Sequence, residues 1–298
     1  PGMVTGAVWT DVDRNNIPDL LLVGDWMPVT LLMNQNGQLT QPDPKATGLA
    51  QTGGLWTCIV PHDLDNDGDL DFLLGNLGTN VQWKARGDTA LTIMAADYNQ
   101  DGRVDPIICQ RINNVHVPLH SRDELLDQIN GLRKKYVRYA DYAKATVETM
   151  FDAGTLANAQ ELTVNTLNSS ILENLGRGVF KLKFLPTEAQ IAPVQGFVVT
   201  DFTGDGTLDI LLAGNYFPLR VQQGQCDAGQ GLLLKGTGKG RYVPLSPQQT
   251  GLFLTGDIRR LMAVPTPVSE STPGKSTPGT LLVAVRNNGA VITQRFLP

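Results

Sequence analysis

Cysteine is scarce and odd in number. Cys58, Cys109 and Cys226 are the only three, so no disulfide framework organises the fold and at least one thiol has no partner in the chain. Cys58 and Cys109 sit in apolar runs and read as small buried hydrophobes. Histidine is equally rare. His116 and His120 are spaced i, i+4, which suits a metal on a helix, but "NNVHVPLHS" with Pro118 between them reads as extended and would hold them apart. His62 stands just before an acidic loop and reads as a surface or outer neighbour of it. No serine-nucleophile elbow, P-loop or dinucleotide fingerprint occurs. "GTGKG" at 236–240 reads as a hairpin turn, because no helix follows it. No long Lys/Arg run exists; the net charge is -5 and the pI near 5.2. That argues against nucleic acid and anionic membranes as partners. No stretch approaches the ~18 apolar residues of a membrane span.

What is present is turn chemistry and short apolar runs. The 298 residues include 31 Gly and 18 Pro spread along the chain, and 41% are hydrophobic. That is enough for a sizeable core cut into short segments. An acidic nine-residue motif recurs four times: "DVDRNNIPD" (Asp11–Asp19), "DLDNDGDLD" (Asp63–Asp71), "DYNQDGRVD" (Asp97–Asp105) and "DFTGDGTLD" (Asp201–Asp209). Each copy lies between two short apolar runs, so the pattern is strand, acidic loop, strand. A second element, "TLLMNQNGQLTQ", "SILENLGRGVFKLKF" and "GLLLKGTGKGRYVPL", reads each time as a hairpin around a Gly-containing turn.

Together the two elements give units of four short antiparallel strands. Such a unit cannot bury both faces alone, and units stacked radially make a β-propeller. The expected fold is all-β, with about five blades in a single domain over 1–298. The units cover about Val4–Pro44, Gly54–Ala90, Leu91–Pro186, Val194–Pro247 and Gly251–Pro298. The fifth has no acidic loop and carries a Ser/Thr/Pro-rich excursion, "TPVSESTPGKSTPG". One segment breaks the β pattern. From Ser121 to Phe151, Ser121 with Glu124 forms a capping box, and Leu125, Leu126, Ile129 and Leu132 recur at helical spacing. This predicts a two-helix insertion, about 120–157, in the third unit between its second strand and its outer hairpin.

Carboxylates at alternate positions of a tight loop point to one centre, and calcium takes six to eight such oxygens. The second loop offers Asp63, Asp65, Asp67 and Asp71 with the Asp69 carbonyl. The third offers Asp97, Asn99, Asp101 and Asp105 with the Arg103 carbonyl. The fourth offers Asp201, Thr203, Asp205 and Asp209 with the Thr207 carbonyl, Thr203 being a weaker ligand. The first offers Asp11, Asp13, Asn15 and Asp19 with the Ile17 carbonyl, but Asn16 replaces the turn Gly. Three full calcium sites and a fourth weaker one are expected. An EF-hand is excluded, since the twelfth residue is Leu22, Leu74, Ile108 or Leu212 rather than Glu and the flanks are strands.

At these loops, "DLDNDGDLDFLLGN" and "DFTGDGTLDILLAGN" above all, the chain resembles the FG-GAP/VCBS repeat family, the calcium-loop propellers that include the integrin α-subunit head. The helical segment resembles one found in large secreted bacterial VCBS-repeat proteins. The resemblance implies about seven blades. Either Pro1–Thr5 supplies an outer strand to the fifth unit and closes a five-bladed ring, or the chain is the C-terminal part of a larger propeller; the second is favoured. It also implies calcium loops on one face and a ligand face opposite, holding Trp26-Met27, Leu55-Trp56, Asn76-Leu77, Tyr216-Phe217 and the helical insertion. The favoured reading is a non-catalytic, calcium-stabilised extracytoplasmic module (secreted, periplasmic or at the cell surface) that binds a protein or glycan. Two alternatives stand beside it: a propeller-fold polysaccharide lyase or hydrolase, and a structural blade set within a larger cell-surface assembly.

Overall fold

A computed structural model describes residues 2–85, 89–218, 224–266 and 279–296. The described residues form five antiparallel sheets. The first comprises β1 (Met3–Thr10), β2 (Asp19–Met27), β3 (Thr30–Gln35) and β4 (Gln38–Thr40), and β5 (Gly54–Leu55) pairs with the far end of β2. β6 (Cys58–His62) and β7 (Asp71–Gly75) begin the second sheet. The chain then leaves it to build β8 (Thr89–Ala96), β9 (Asp105–Ile112), β10 (Val115–Pro118) and β11 (Gln160–Val164), a separate sheet in the order β10-β9-β8-β11. It returns as β12 (Ser170–Asn174) and β13 (Phe180–Phe184), and β12 pairs with β7. β14 (Val194–Thr200), β15 (Asp209–Gly214), β16 (Leu232–Gly236) and β17 (Tyr242–Leu245) form the third sheet. β18 (Ile258–Thr266), β19 (Gly279–Arg286) and β20 (Ile292–Phe296) form the last. Most of the Ser/Thr/Pro-rich excursion, 267–278, lies outside the described residues.

Two expectations change here. The hairpin "SILENLGRGVFKLKF" completes the second sheet, not the third unit. The insertion is therefore a whole sheet with its helices, set between β7 and β12. Its two ends meet: the Gly78 N–H donates to the Leu167 carbonyl at 2.8 Å. Met3–Thr5 is not an outer strand of the fifth unit either; it begins β1 and pairs with β2. The last sheet has three strands among the described residues.

The helical segment has more pieces than two. They are α1 (Arg122–Gln128), a 3-10 turn over Asn130–Lys134, α2 (Tyr139–Tyr142), α3 (Val147–Met150) and α4 (Ala153–Ala157), between β10 and β11. Ser121 and Glu124 make the reciprocal capping box. The buried faces of these pieces (Leu125, Leu126, Val147 and Met150) close over Ile107 and Cys109 of β9.

The four remaining sheets pack in series. Core clusters join the first to the second through Leu21, Phe72 and Leu172, the second to the third through Leu73, Ile210 and Leu234, and the third to the last through Leu211, Ile258 and Leu282. The first strands also meet, β1 with β6, β6 with β14 and β14 with β18. A sheet held between two neighbours buries both faces of its middle strands. This explains why β7 and β15 are apolar without alternation and buried throughout. β19, the middle strand of the last sheet, is less covered and alternates over Leu282–Arg286 instead. The inserted sheet rests against the first, Leu91 and Val164 packing on Trp26 and Leu55.

Candidate metal loops and the cavity at the opposite end

The four acidic loops repeat one backbone design. The first Asp caps the turn: Asp11 accepts from the Asn15 and Asn16 N–H groups, Asp97 from Asp101 and Gly102, and Asp201 from Gly204, Asp205 and Gly206. Asp63 does the same for Asn66 and Gly68. Two residues of each loop are left-handed. Asn16, Gly68, Gly102 and Gly206 were expected to be, and Arg14, Asn66, Gln100 and Gly204 at the fourth position are so as well. Asn16 adopts φ 64° and serves in place of Gly.

The ninth-position Asp does a separate job. Asp19, Asp71, Asp105 and Asp209 are all buried. One oxygen accepts from the loop, at Val12, Leu64, Tyr98 and Phe202 respectively. In three sheets the other oxygen accepts from the third strand or its end, at Asn34, Asn174 and Gly236. These carboxylates therefore pin the loop to the outer hairpin. Burial pushes the Asp71 carboxyl up to about 6.

Three acidic groups converge within 4.8 Å of one another at two loops, Asp11, Asp13 and Asp19, and Asp63, Asp65 and Asp67. Both sets can hold a metal ion, and their hard oxygen donors fit a hard cation. The first loop, the weaker by sequence, is thus one of the two best assembled. Burial first, then neighbouring Asp67 and Asp63, raises the Asp65 carboxyl. Arg14 reaches from the first loop to the Asp69 carboxylate at 2.7 Å, which leaves the Asp69 backbone carbonyl for an ion. In the third loop the Asn99 amide donates to Asp101. In the fourth, Lys235 bonds Asp205 at 2.9 Å and lowers its pKa.

These loops sit where each first strand turns into the second. At the opposite ends of the same strands lies a cavity of about 400 Å³, rimmed by Asp25, Trp26, Trp83, Gln195, Tyr216 and Arg259. Trp56 lies fully buried beneath it. Leu55 and Leu77 also line it, so most of the aromatic and apolar pairs expected on this face do meet there. Met27, Asn76 and Phe217 do not line it: Met27 is buried, and the Asn76 amide donates to the Thr166 and Asn168 carbonyls. The helical insertion contributes no residue to this cavity among those described.

Residues 11–74 match the FG-GAP-like repeat family. The matched stretch runs from the first acidic loop into β7 and so contains both loops whose acids converge. No curated protein matches the chain.

Among the described residues, no histidine belongs to the acidic groups that converge at the loops. His116 lies on β10, its ring 2.7 Å from Glu148 on α3. The His62 ring contacts the Asp63 carbonyl. Among the described residues, no helix is long and apolar enough to cross a membrane. Sequence reasoning missed Asp25, Trp83, Gln195 and Arg259. A signal for Asp25 was available: "GDW", "GNL" and "GNY" end β2, β7 and β15, and only the first has an acid at the corner.

Proposed function

We propose that this chain is a non-catalytic β-propeller-type module, stabilised by calcium in its acidic loops, that works outside the cytoplasm and binds a partner on the face away from those loops. The observation that carries the reading is the division of labour along the strands. The acidic loops of the first three serial sheets neighbour one another at one end, the first touching the second through Arg14 and Asp69 and the second facing the loop of the third, and an aromatic cavity opens at the other. The loop donors are all oxygens, as calcium prefers, and modest-affinity sites fill only where calcium is roughly 10⁻⁴–10⁻³ M, as outside cells.

The test is the calcium-dependent melting temperature of the parent protein, Asp65→Ala and Asn99→Ala. A ligand that binds only the folded state raises its stability. A rise in the parent that shrinks in both variants supports calcium sites in the second and third loops. No response from stripped protein removes the calcium argument, and the extracytoplasmic setting loses its main support.

A second reading, a blade set within a larger assembly, draws on the outer sheets. Met3, Val4 and Trp9 of β1 and Met262 and Val264 of β18 are large hydrophobic side chains left exposed on the two outer sheets.

A further inference from the structure

The corners that follow β7 and β15 share one chemistry. Asn76 and Asn215 are fully buried there. Asn215 donates its amide to the Gly229 and Gly256 carbonyls and accepts from the Gly229 N–H. Asn76 donates to two carbonyls in the same way. The first sheet has Asp25 at this corner. An ionised carboxylate has no N–H to give, and the Asp25 side chain has no hydrogen-bond or ion-pair partner among the described residues. It lines the cavity instead. Burial alone pushes its pKa up, with no cation to offset it.

The backbone around Asp25 is distorted. Trp26 adopts φ 57°, a left-handed conformation that a bulky aromatic rarely takes. The pairing of β2 with β5 shifts register between Asp25 and Met27. Bulges of this kind re-aim side chains beside binding sites. The opposite wall is already neutral. Arg259 donates to Asp257 at 2.8 Å and lies over the Tyr216 ring at 5.0 Å. Among the described residues, Asp25 and Arg259 are the charged ones lining the cavity, and Asp25 is the one without a counter-charge.

We propose that this cavity is a binding site for an organic ammonium group, with Asp25 as the counter-charge and Trp26, Trp83 and Tyr216 as aromatic walls. A cation gains from the faces of aromatic rings, most of all when water is excluded. The carboxylate adds charge complementarity that a neutral sugar or alcohol cannot use. The size, about 400 Å³, suits one small headgroup or one side-chain terminus. The inference rests on the reading that this end of the strands bears the ligand.

Tryptophan fluorescence reads the site directly. Of the four tryptophans, Trp26, Trp56 and Trp83 line the cavity and Trp9 is exposed on β1. A Trp9→Phe background therefore reports the cavity alone. It is titrated with choline, with N-acetyl-lysine amide, and with the neutral isostere of choline in which carbon replaces nitrogen. Saturable quenching by either cation, at least tenfold tighter than by the isostere, is expected; the arm that binds identifies a free headgroup or a lysine side chain. Asp25→Asn should weaken the cation at least tenfold and still fold, since Asn serves the same corner in two other sheets. Trp83→Ala, at the rim, should weaken it as well. Equal binding of the isostere, or undiminished binding by Asp25→Asn, overturns the proposal. Absence of cation binding in a protein whose melting temperature still rises with calcium overturns the ligand class and leaves the calcium reading standing.

Discussion

A buried carboxylate that bonds to two segments is a covalent-like staple without the covalent bond. Asp209 accepts from Phe202, Thr203 and Gly236, whereas Asp105 has one such bond, to Tyr98. Hydrogen bonds to a charged group contribute roughly 1.5–3 kcal/mol each, and orphaned buried N–H groups add to the loss. Asp209→Ala should therefore cost about 3 kcal/mol or more in urea unfolding, and Asp105→Ala clearly less. Asp71 adds a pH dependence. Burial holds its proton on up to about 6 in the metal-free fold, while the unfolded chain releases it near the usual ~3.9. The folded state then binds more protons, so stability falls as pH rises between those values. Calcium favours the charged form, so its gain in melting temperature should grow over the same interval; a gain that is flat from pH 4 to 7 would contradict this. The thiols give a simpler check. Burial pushes Cys58 up to about 11 and Cys109 up to about 12, and both are shielded, while Cys226 is half-exposed. A thiol reagent should titrate one cysteine in the native protein and three in denaturant.

At the scale of elements, the hairpins and acidic loops were legible because each carries its own local chemistry: a Gly turn, a period of two, a capping Asp. Partnership was not. "SILENLGRGVFKLKF" has the same alternation whether it completes one sheet or another, and only its pairing of Ser170 to Leu74 decides. The left-handed residues at the loops' fourth position escaped notice because Arg14 and Gln100 carry no sign of that conformation. Asp25 carries no signal of its own because an acid near the end of a strand looks ordinary until its position is compared with Asn76 and Asn215. The inserted sheet makes its own prediction. Gly78 and Leu167 are hydrogen-bonded neighbours, so replacing 79–166 with a short Gly/Ser linker should leave the other four sheets intact. Circular dichroism should lose most of its helical component while thermal unfolding stays cooperative. The excised protein should also lose the cavity wall provided by Trp83.

Over the whole molecule, the core clusters of the described residues join each of the four serial sheets to its neighbours in the series, and the first also to the inserted sheet. Stability in such an array is a sum of sheet terms and nearest-neighbour interfaces. Leu282 is fully buried between the third and last sheets. Leu282→Ala should cost about 2–5 kcal/mol. Hydrogen exchange should quicken in β18–β20 and β14–β17 and change little in β1–β4. Faster exchange spread evenly over all sheets would mean a single cooperative unit.

The nested position of the inserted sheet also sets an order of events during synthesis. β7 leaves the ribosome well before its partner β12, with roughly ninety residues between Gly75 and Ser170. At about 5–20 residues per second, that is a wait on the order of five to twenty seconds. For that interval β7 offers an unpaired edge to whatever is nearby. The inserted sheet, with helices of its own to close over it, has time to finish first and to bring Leu167 back beside Gly78. The nascent chain thus gains a folded clamp that delivers β12 to the edge awaiting it.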